Sequence, residues 1–424
     1  MSAQRPLAAL ILAAGRGERM NSAIPKVLHQ AAGFSLLEHV VDVVRQTGIR
    51  RIAVVVGPSQ EKVRSFVNGV DMVVQTKRLG TAHAVMQARK QFGRWKGGLL
   101  VLPADAPCVK PETLCRFIET HQRHFASASI LTAEVDCPKG YGRILRRGDQ
   151  VIGIREELDA SPLERRIREI NSGIYLFDAS KLFQQLDRIK QNRKKKEYYL
   201  TDVIEAFRAS GESVEGHRVH DSKELLGVNT RRELSVAHQI LNERELARHS
   251  KQGVSILNPE QTFIAKGVTI GRDTVIHPFT WIERGVSIGR KCEVGPFAKI
   301  RGGSQIGDEV VVGSFVEVVR SKVGSKTFVK HLSYLGDAQV GKKVNVGAGT
   351  ITANFDGRRK NKTVVQDNVF LGCNTVLVAP VTVGKGAKTG AGAVVRARHS
   401  IPAGKTAVGI PAVILQKKNK RGSK

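Results

Sequence analysis

The chain has 424 residues, 41% apolar and only 5% aromatic, with a formal net charge of +30. That length suits two domains with real cores, and without an apolar run of about 18–20 residues no membrane-spanning segment is predicted. Five scattered cysteines (Cys108, Cys115, Cys137, Cys292 and Cys373) form no C-x-x-C pair, which argues against a disulfide framework or a zinc site and suits a reducing, cytoplasmic compartment. The charge, carried partly by basic clusters at 193–196 and in the tail 416–424, draws anionic partners, either acidic small molecules or nucleic acid. Aromatic residues do not interleave with it as a base-stacking platform requires, so nucleic acid is not the expected partner.

Along residues 1–229 short apolar runs alternate with helix-like segments. "LAALILAA", "RIAVVVG", "GLLVLPAD" and "ASILTAEV" read as buried strands, and the stretches after the first three carry apolar residues at spacings of three and four. This alternation predicts a mostly parallel sheet covered by helices, with ligands beyond the carboxyl ends of its strands. The run from Leu7 to Ala14 ends in charged, glycine-rich sequence rather than a small-residue cleavage site, so it reads as a strand and not as a signal-peptide core. In "LILAAGRGERMNSAIPKVL", residues 10–28, Gly15 and Gly17 would let backbone N–H groups approach a polyphosphate, and Arg19 and Lys26 would offset its charge.

Thr230 and Glu233 make a capping box. It predicts a helix running to about Ser250 and a linker over 230–252. From there to residue 415 the period changes. Ile264, Ile270, Ile276, Ile282, Ile288, Val294, Ile300, Ile306, Val312 and Val318 recur every sixth residue, often followed by Gly. A fixed hexad of β-branched residues predicts a parallel β-helix whose Ile and Val stack inside the coil. The register slips near Val323, resumes at Val340 and Val346, breaks at "ANFDGRRKNKTV", and returns at Leu371, Leu377, Val383, Thr389, Val395 and Ile401. The irregular "KHLSYLGDA" and "ANFDGRRKNK" are predicted to leave the coil and to be free to serve a site.

The motifs "LAAGRGERMNSAIPKVL", "QTKRLGTAHA", "GYGRI", "EINSGIY", "EYYLTDVI" and "GVN" stand in the order found in the sugar-1-phosphate nucleotidyltransferases. The chain resembles in particular the bacterial family that joins an N-acetylglucosamine-1-phosphate uridyltransferase to a glucosamine-1-phosphate acetyltransferase, from Leu7 to about Ile401. The resemblance implies a Rossmann-like α/β nucleotidyltransferase domain followed by an all-β left-handed parallel β-helix of hexapeptide repeats. It implies that Leu12, Ala14, Gly15, Gly17, Arg19 and Lys26 hold UTP while Gln75, Gly80 and Thr81 read its uracil. Gly142, Glu156, Asn171 and Asn229 would contact the N-acetylglucosamine phosphate, and Asp105 with Asn229 would hold Mg²⁺. "KHLSYLGDAQVGKKVNVGAGTITANFDGRRKNKT" resembles the acetyltransferase signature. There His331 is implied as general base, Arg301, Tyr334 and Asn345 as sugar-phosphate contacts, and Ala348, Asn354, Phe355, Lys360, Cys373 and Ala391 as the acetyl-CoA site. The family packs as a homotrimer with acetyl-CoA between neighbouring subunits.

Six positions depart from the family pattern. Glu18 stands for Thr, Pro103-Ala104 for Tyr-Gly, Val319 for a phosphate-binding Lys with Arg320 beside it, Phe355 for Tyr, and Gly409 for an Arg used on CoA. The expected function is synthesis of UDP-N-acetylglucosamine by acetylation and then uridylyl transfer. Val319 and Gly409 motivate an alternative, a nucleotidyltransferase whose β-helix serves only oligomerisation. The +30 charge motivates a nucleic-acid-binding protein on a retired enzyme scaffold.

Overall fold

A computed structural model describes residues 5–58, 61–192 and 195–415. The basic tail 416–424 and the first two residues of the 193–196 cluster lie outside them. The chain divides into two compact units, residues 1–240 and 241–424.

The first unit is built on a twisted sheet in the order β9-β5-β8-β4-β1-β2-β3. The strands are β1 Leu7–Ala13, β2 Arg51–Val56, β3 Asp71–Val74, β4 Gly98–Pro103, β5 Ala128–Glu134, β8 Glu169–Asp178 and β9 Val214–Val219. A hairpin of β6 Arg143–Arg147 and β7 Gln150–Arg155 joins through β8. The first four strands run parallel, and β8 lies antiparallel between β4 and β5. β1 reads as an unbroken apolar run because both faces are covered: Ala8 and Leu10 enter one core, Ala9, Ile11 and Ala13 the other. Helix α1, Leu36–Gln46, starts at a capping box in which Ser35 and Glu38 satisfy each other's backbone N–H groups, and buries Leu37, Val40, Val41 and Val44 on its inner face. α2 spans Thr81–Gln87, and α3, Pro111–Arg123, covers β5 and β9. One expectation fails locally. β2 is followed by a 3₁₀ turn, Glu61–Phe66, rather than an α-helix, because residues 57–70 leave little length for a crossover to the parallel β3.

α4 (Ala179–Leu186) and α5 (Asp202–Ala209) precede α6, Arg231–Lys251. α6 begins at the predicted capping box, with Thr230 Oγ1 accepting from Glu233 N at 3.2 Å and Glu233 Oε2 accepting from Thr230 N at 2.7 Å.

In the second unit two- to four-residue strands stack into three sheets, of ten, eight and seven strands among the described residues. All but the terminal pair are parallel. The ten hexad residues from Ile264 to Val318 are buried, each lying directly above its counterpart one coil away, as Ile282 lies on Ile300 and Ile300 on Val318. "KHLSYLGDA" does not leave the coil. It supplies three strands, Phe328–His331, Tyr334–Gly336 and Ala338–Val340, and Val329 and Leu335 keep the buried columns filled. The slip comes from corners shortened by one residue, so Ile306 pairs with Val323 and Val323 with Val340. "ANFDGRRKNK" does bulge outward, closing on a bridge between Phe355 and Lys360 before Thr363–Val365 resumes the sheet.

Candidate active sites

Beyond the carboxyl ends of β1 and β3 the first unit opens a cavity of 940 Å³. Its wall includes Ala14, Gly15, Gly17, Arg19, Lys26, Gln75, Gly80, Thr81, Glu156 and Asn229 from the predicted set. β1 delivers the chain into the Gly15–Gly17 loop at this edge. Gly17 has φ +67°, and a Cβ there would sit 2.6 Å from Lys26 Cβ, so only glycine lets the loop close on Pro25-Lys26.

Lys26 Nζ donates to Asp105 Oδ2 and, at 2.9 Å, to Asn229 Oδ1. Asp105 follows β4 and Asn229 precedes α6. The two are locked together because Val228 N donates to the Asp105 carbonyl at 2.8 Å and Asn229 N to Glu233 Oε2 at 2.8 Å. Three parts of the chain thus aim two oxygens at one cation. Glu18 leaves its charge partly compensated, with its carboxylate 3.3 Å from Arg16 Nη1. Pro103 is accommodated at the end of β4, packed beside Gly173.

At the other end of the cavity Glu156 accepts from Thr201 Oγ1 at 3.1 Å, and burial pushes its carboxyl up. Burial and the neighbouring Glu205, Glu156 and Asp159 push Asp202 up to about 6. Burial followed by Asp159 and Glu197 pushes Tyr199 up to about 12.

Leu12, Asp105, Gly142 and Asn171 do not line the cavity wall. The structure joins Asn171 to Gly142 by a backbone hydrogen bond of 2.9 Å. It also commits the Asn171 side chain, whose Nδ2 donates to the Tyr175 hydroxyl at 2.7 Å and whose Oδ1 accepts from Gly173 N at 3.0 Å. Sequence reasoning missed Arg78, Glu157, Lys195 and Tyr199, which do line it. Arg78 Nε donates to the Ala14 carbonyl at 2.9 Å, adding a cation to the glycine loop. Both Arg78 and Tyr199 lie inside the quoted motifs, where only the tertiary fold distinguishes them from their neighbours.

On the β-helix the register collects residues that are far apart in sequence. His331, Ala348, Cys373 and Ala391 each stand two residues beyond a stacked column residue, namely Val329, Val346, Leu371 and Thr389. They form one edge over successive coils, and Gly409 continues it beyond Ala407. His331 is exposed at the end of its strand, which Ser314 flanks. Asn345 lies in the same sheet between Phe328 and Phe370.

A second group surrounds Asp337. Arg320 donates to both its oxygens at 2.7 Å, and Asn354 Nδ2 donates at 2.5 Å. These partners hold the Asp337 carboxyl below its usual range. The Tyr334 hydroxyl and the Asn354 amide both lie over Gly336. Val319 is buried at 2% exposure, while Arg320 is already paired with Asp337. Arg301 approaches Glu317 at 3.5 Å and Glu283 at 3.7 Å. Phe355 and Lys360 stand exposed on the outward hairpin, whose turn Asp356 holds by accepting from Arg358 N and Arg359 N.

The family model for a MobA-like NTP transferase domain matches residues 9–202, and the model for six bacterial transferase hexapeptide repeats matches 285–320 and 362–397. A bifunctional protein GlmU of Desulfitobacterium hafniense is 40% identical over 95% of this chain and 95% of its own length. The chain belongs to the bifunctional GlmU family. GlmU proteins of Pelotomaculum thermopropionicum (43% identical, 88% of this chain and 90% of the relative) and Geobacillus thermodenitrificans (42%, 91% and 92%) match in the same way. In this GlmU family member the gap between the two hexapeptide matches, 321–361, holds the shortened corners and the outward hairpin. His331, Tyr334, Asn345, Ala348 and Asn354 all fall within it.

Proposed function

We propose that the chain makes UDP-N-acetylglucosamine in two steps. Its β-helical half moves an acetyl group from acetyl-CoA to the amine of glucosamine-1-phosphate. Its α/β half then moves a uridylyl group from UTP to N-acetylglucosamine-1-phosphate and releases pyrophosphate. One observation carries the second step: the glycine loop, Lys26 and Asn229 line one edge of a cavity of 940 Å³, with Asp105 held behind them by Lys26.

In uridylyl transfer a sugar-phosphate oxygen bonds to the α-phosphorus of UTP as the bond to the bridging oxygen of pyrophosphate breaks. No protein nucleophile is required, so the work is positioning and charge neutralisation. Gly15 and Gly17 leave room for the phosphates, and Arg19, Lys26 and Arg78 offset their charge. Gln75, Gly80 and Thr81 face the base, and Glu156 faces the sugar. The oxygens of Asp105 and Asn229 suit a hard cation, and they would hold Mg²⁺, which supplies charge neutralisation at the phosphates when bound. Leu12, Gly142 and Asn171 act from behind the wall by shaping the strand ends.

In acetyl transfer His331 takes a proton from the attacking amine while the thioester carbon bonds to nitrogen and the CoA thiolate leaves. Imidazole suits this task near neutral pH. Tyr334, Asn345 and Arg301 hold the sugar phosphate. The edge of Ala348, Cys373 and Ala391, with Asn354, Phe355 and Lys360, receives CoA. The exposed, repetitive side of the coil supports assembly as a homotrimer. The five free cysteines support a cytoplasmic setting.

The test follows CoA and pyrophosphate separately in one mixture of acetyl-CoA, glucosamine-1-phosphate, UTP and Mg²⁺. His331→Ala should slow CoA release by about 10²–10⁴-fold, the usual range for a general base, and spare pyrophosphate release when N-acetylglucosamine-1-phosphate is supplied. Unchanged acetylation in that variant would show that another group takes the proton.

A further inference from the structure

Gln75 directly follows β3, is 3% exposed, and lines the cavity. Its Nε2 lies 3.0 Å from the carbonyl oxygen of Gly80 and 3.0 Å from Nδ1 of His83. A carbonyl only accepts, so the amide end facing Gly80 is the NH₂ group. That nitrogen has no lone pair to offer, so His83 Nδ1 is the acceptor of the second N–H, and the ring proton sits on Nε2. Burial, and then the charge of Lys77, lower the pKa of His83 and favour this neutral form. The ring lies against Tyr198, with centroids 6.5 Å apart and planes 27° apart. The Gln87 Nε2 lies 3.2 Å from His83 Nε2 and 3.4 Å from the His83 carbonyl oxygen. With the ring proton on Nε2, that carboxamide turns over to accept it and gives up the longer, weaker contact. The backbone that places the carbonyl is equally constrained. Gly80 has φ +101°, and a Cβ there would lie 2.5 Å from the Tyr198 carbonyl.

Both hydrogens of the Gln75 amide are therefore used within the protein, and its oxygen remains. We propose that His83 sets the base preference of the nucleotide site by locking the Gln75 carboxamide with only its oxygen open to the nucleobase. The proposal rests on the reading that Gln75 faces the base. Uracil and thymine carry a hydrogen on N3 and satisfy an acceptor; cytosine carries a lone pair there and needs a donor. A carboxamide free to turn over serves either edge, whereas a locked one serves the first and repels the second. His83 itself does not line the cavity, so it is a positioning residue acting through Gln75.

The experiment measures kcat/KM for pyrophosphate release with UTP and with CTP, in the full-length protein with N-acetylglucosamine-1-phosphate and Mg²⁺. His83→Leu, which removes the acceptor, should lower the UTP-to-CTP ratio by about tenfold or more, chiefly through improved use of CTP. His83→Asn, whose Oδ1 can take the place of Nδ1, should restore the ratio to within about threefold. A wild-type ratio in His83→Leu, alongside a lowered ratio in Gln75→Ala, would overturn the lock while leaving Gln75 at the base. A wild-type ratio in Gln75→Ala would instead overturn the placement of Gln75 on which the proposal stands.

Discussion

Lys26→Met keeps the aliphatic stem of the side chain and removes its charge. The lost ammonium donates to Asp105 and Asn229, and the Lys26 and Asp105 side chains are only 12% and 18% exposed. A hydrogen bond involving a charged group contributes about 1.5–3 kcal/mol, so the metal-free protein loses roughly 3 kcal/mol or more from the two together. A divalent cation drawn to the same two oxygens must first displace that ammonium. The interaction that stabilises the free protein therefore opposes the metal, by up to about 100-fold in affinity. Titration of the nucleotide-free protein with Mn²⁺, followed by the electron paramagnetic resonance of the free ion, should show Lys26→Met binding at least about tenfold tighter. The thermal midpoint of the same variant in chelator should fall. Mn²⁺ affinity that is unchanged or weaker would refute the idea that ammonium and metal compete for Asp105 and Asn229.

Acid should weaken the first unit through His121, whose side chain is buried with Nδ1 2.8 Å from Ser129 Oγ. Burial, followed by His217, lowers it to about 4 from 6.5. Between those values the unfolded chain takes up a proton that the folded chain refuses, so stability falls with falling pH, by about 3 kcal/mol in total near pH 4. His121→Asn should flatten that part of the curve in denaturant titrations, and an unchanged slope would refute the assignment. In the β-helix, Ile300→Ala opens a hole between Ile282 and Val318 and should cost about 2–5 kcal/mol. A loss below about 0.5 kcal/mol, typical of a surface site, would mean that the column is not packed as described.

Much of the fold was legible because its signals are local. The hexad needs no partner to be seen, and an unbroken apolar run such as β1 announces a strand covered on both faces. What sequence reading lost was phase. A corner shortened between Val318 and Val323 puts Val329 and Leu335 out of step with a strict count of six, and a second shortened corner follows Leu335. A coil that continues therefore looks like a loop that leaves. The site was legible in the same uneven way. Gly17, Lys26 and Gln75 stand in recognisable motifs and do line the cavity, but the engagement of Asn171 with Tyr175 and Gly173 depends on a side-chain orientation that spacing does not encode. Arg78 looks like any surface cation until the end of β1 is brought beside it. The pairing of Arg320 with Asp337 is likewise a contact between coils, invisible along the chain.

The shortened corners and the outward hairpin leave the edge of His331, Ala348, Cys373 and Ala391 unbroken. Neighbouring strands sit about 4.8 Å apart, so three coil steps set a span of roughly 14 Å between the imidazole's strand and the far end of that edge. Loop length has no say in this distance; the number of coils alone fixes it. The coil thus works as a ruler, and any long, flexible ligand laid along that edge would meet His331 at a point measured out in whole turns.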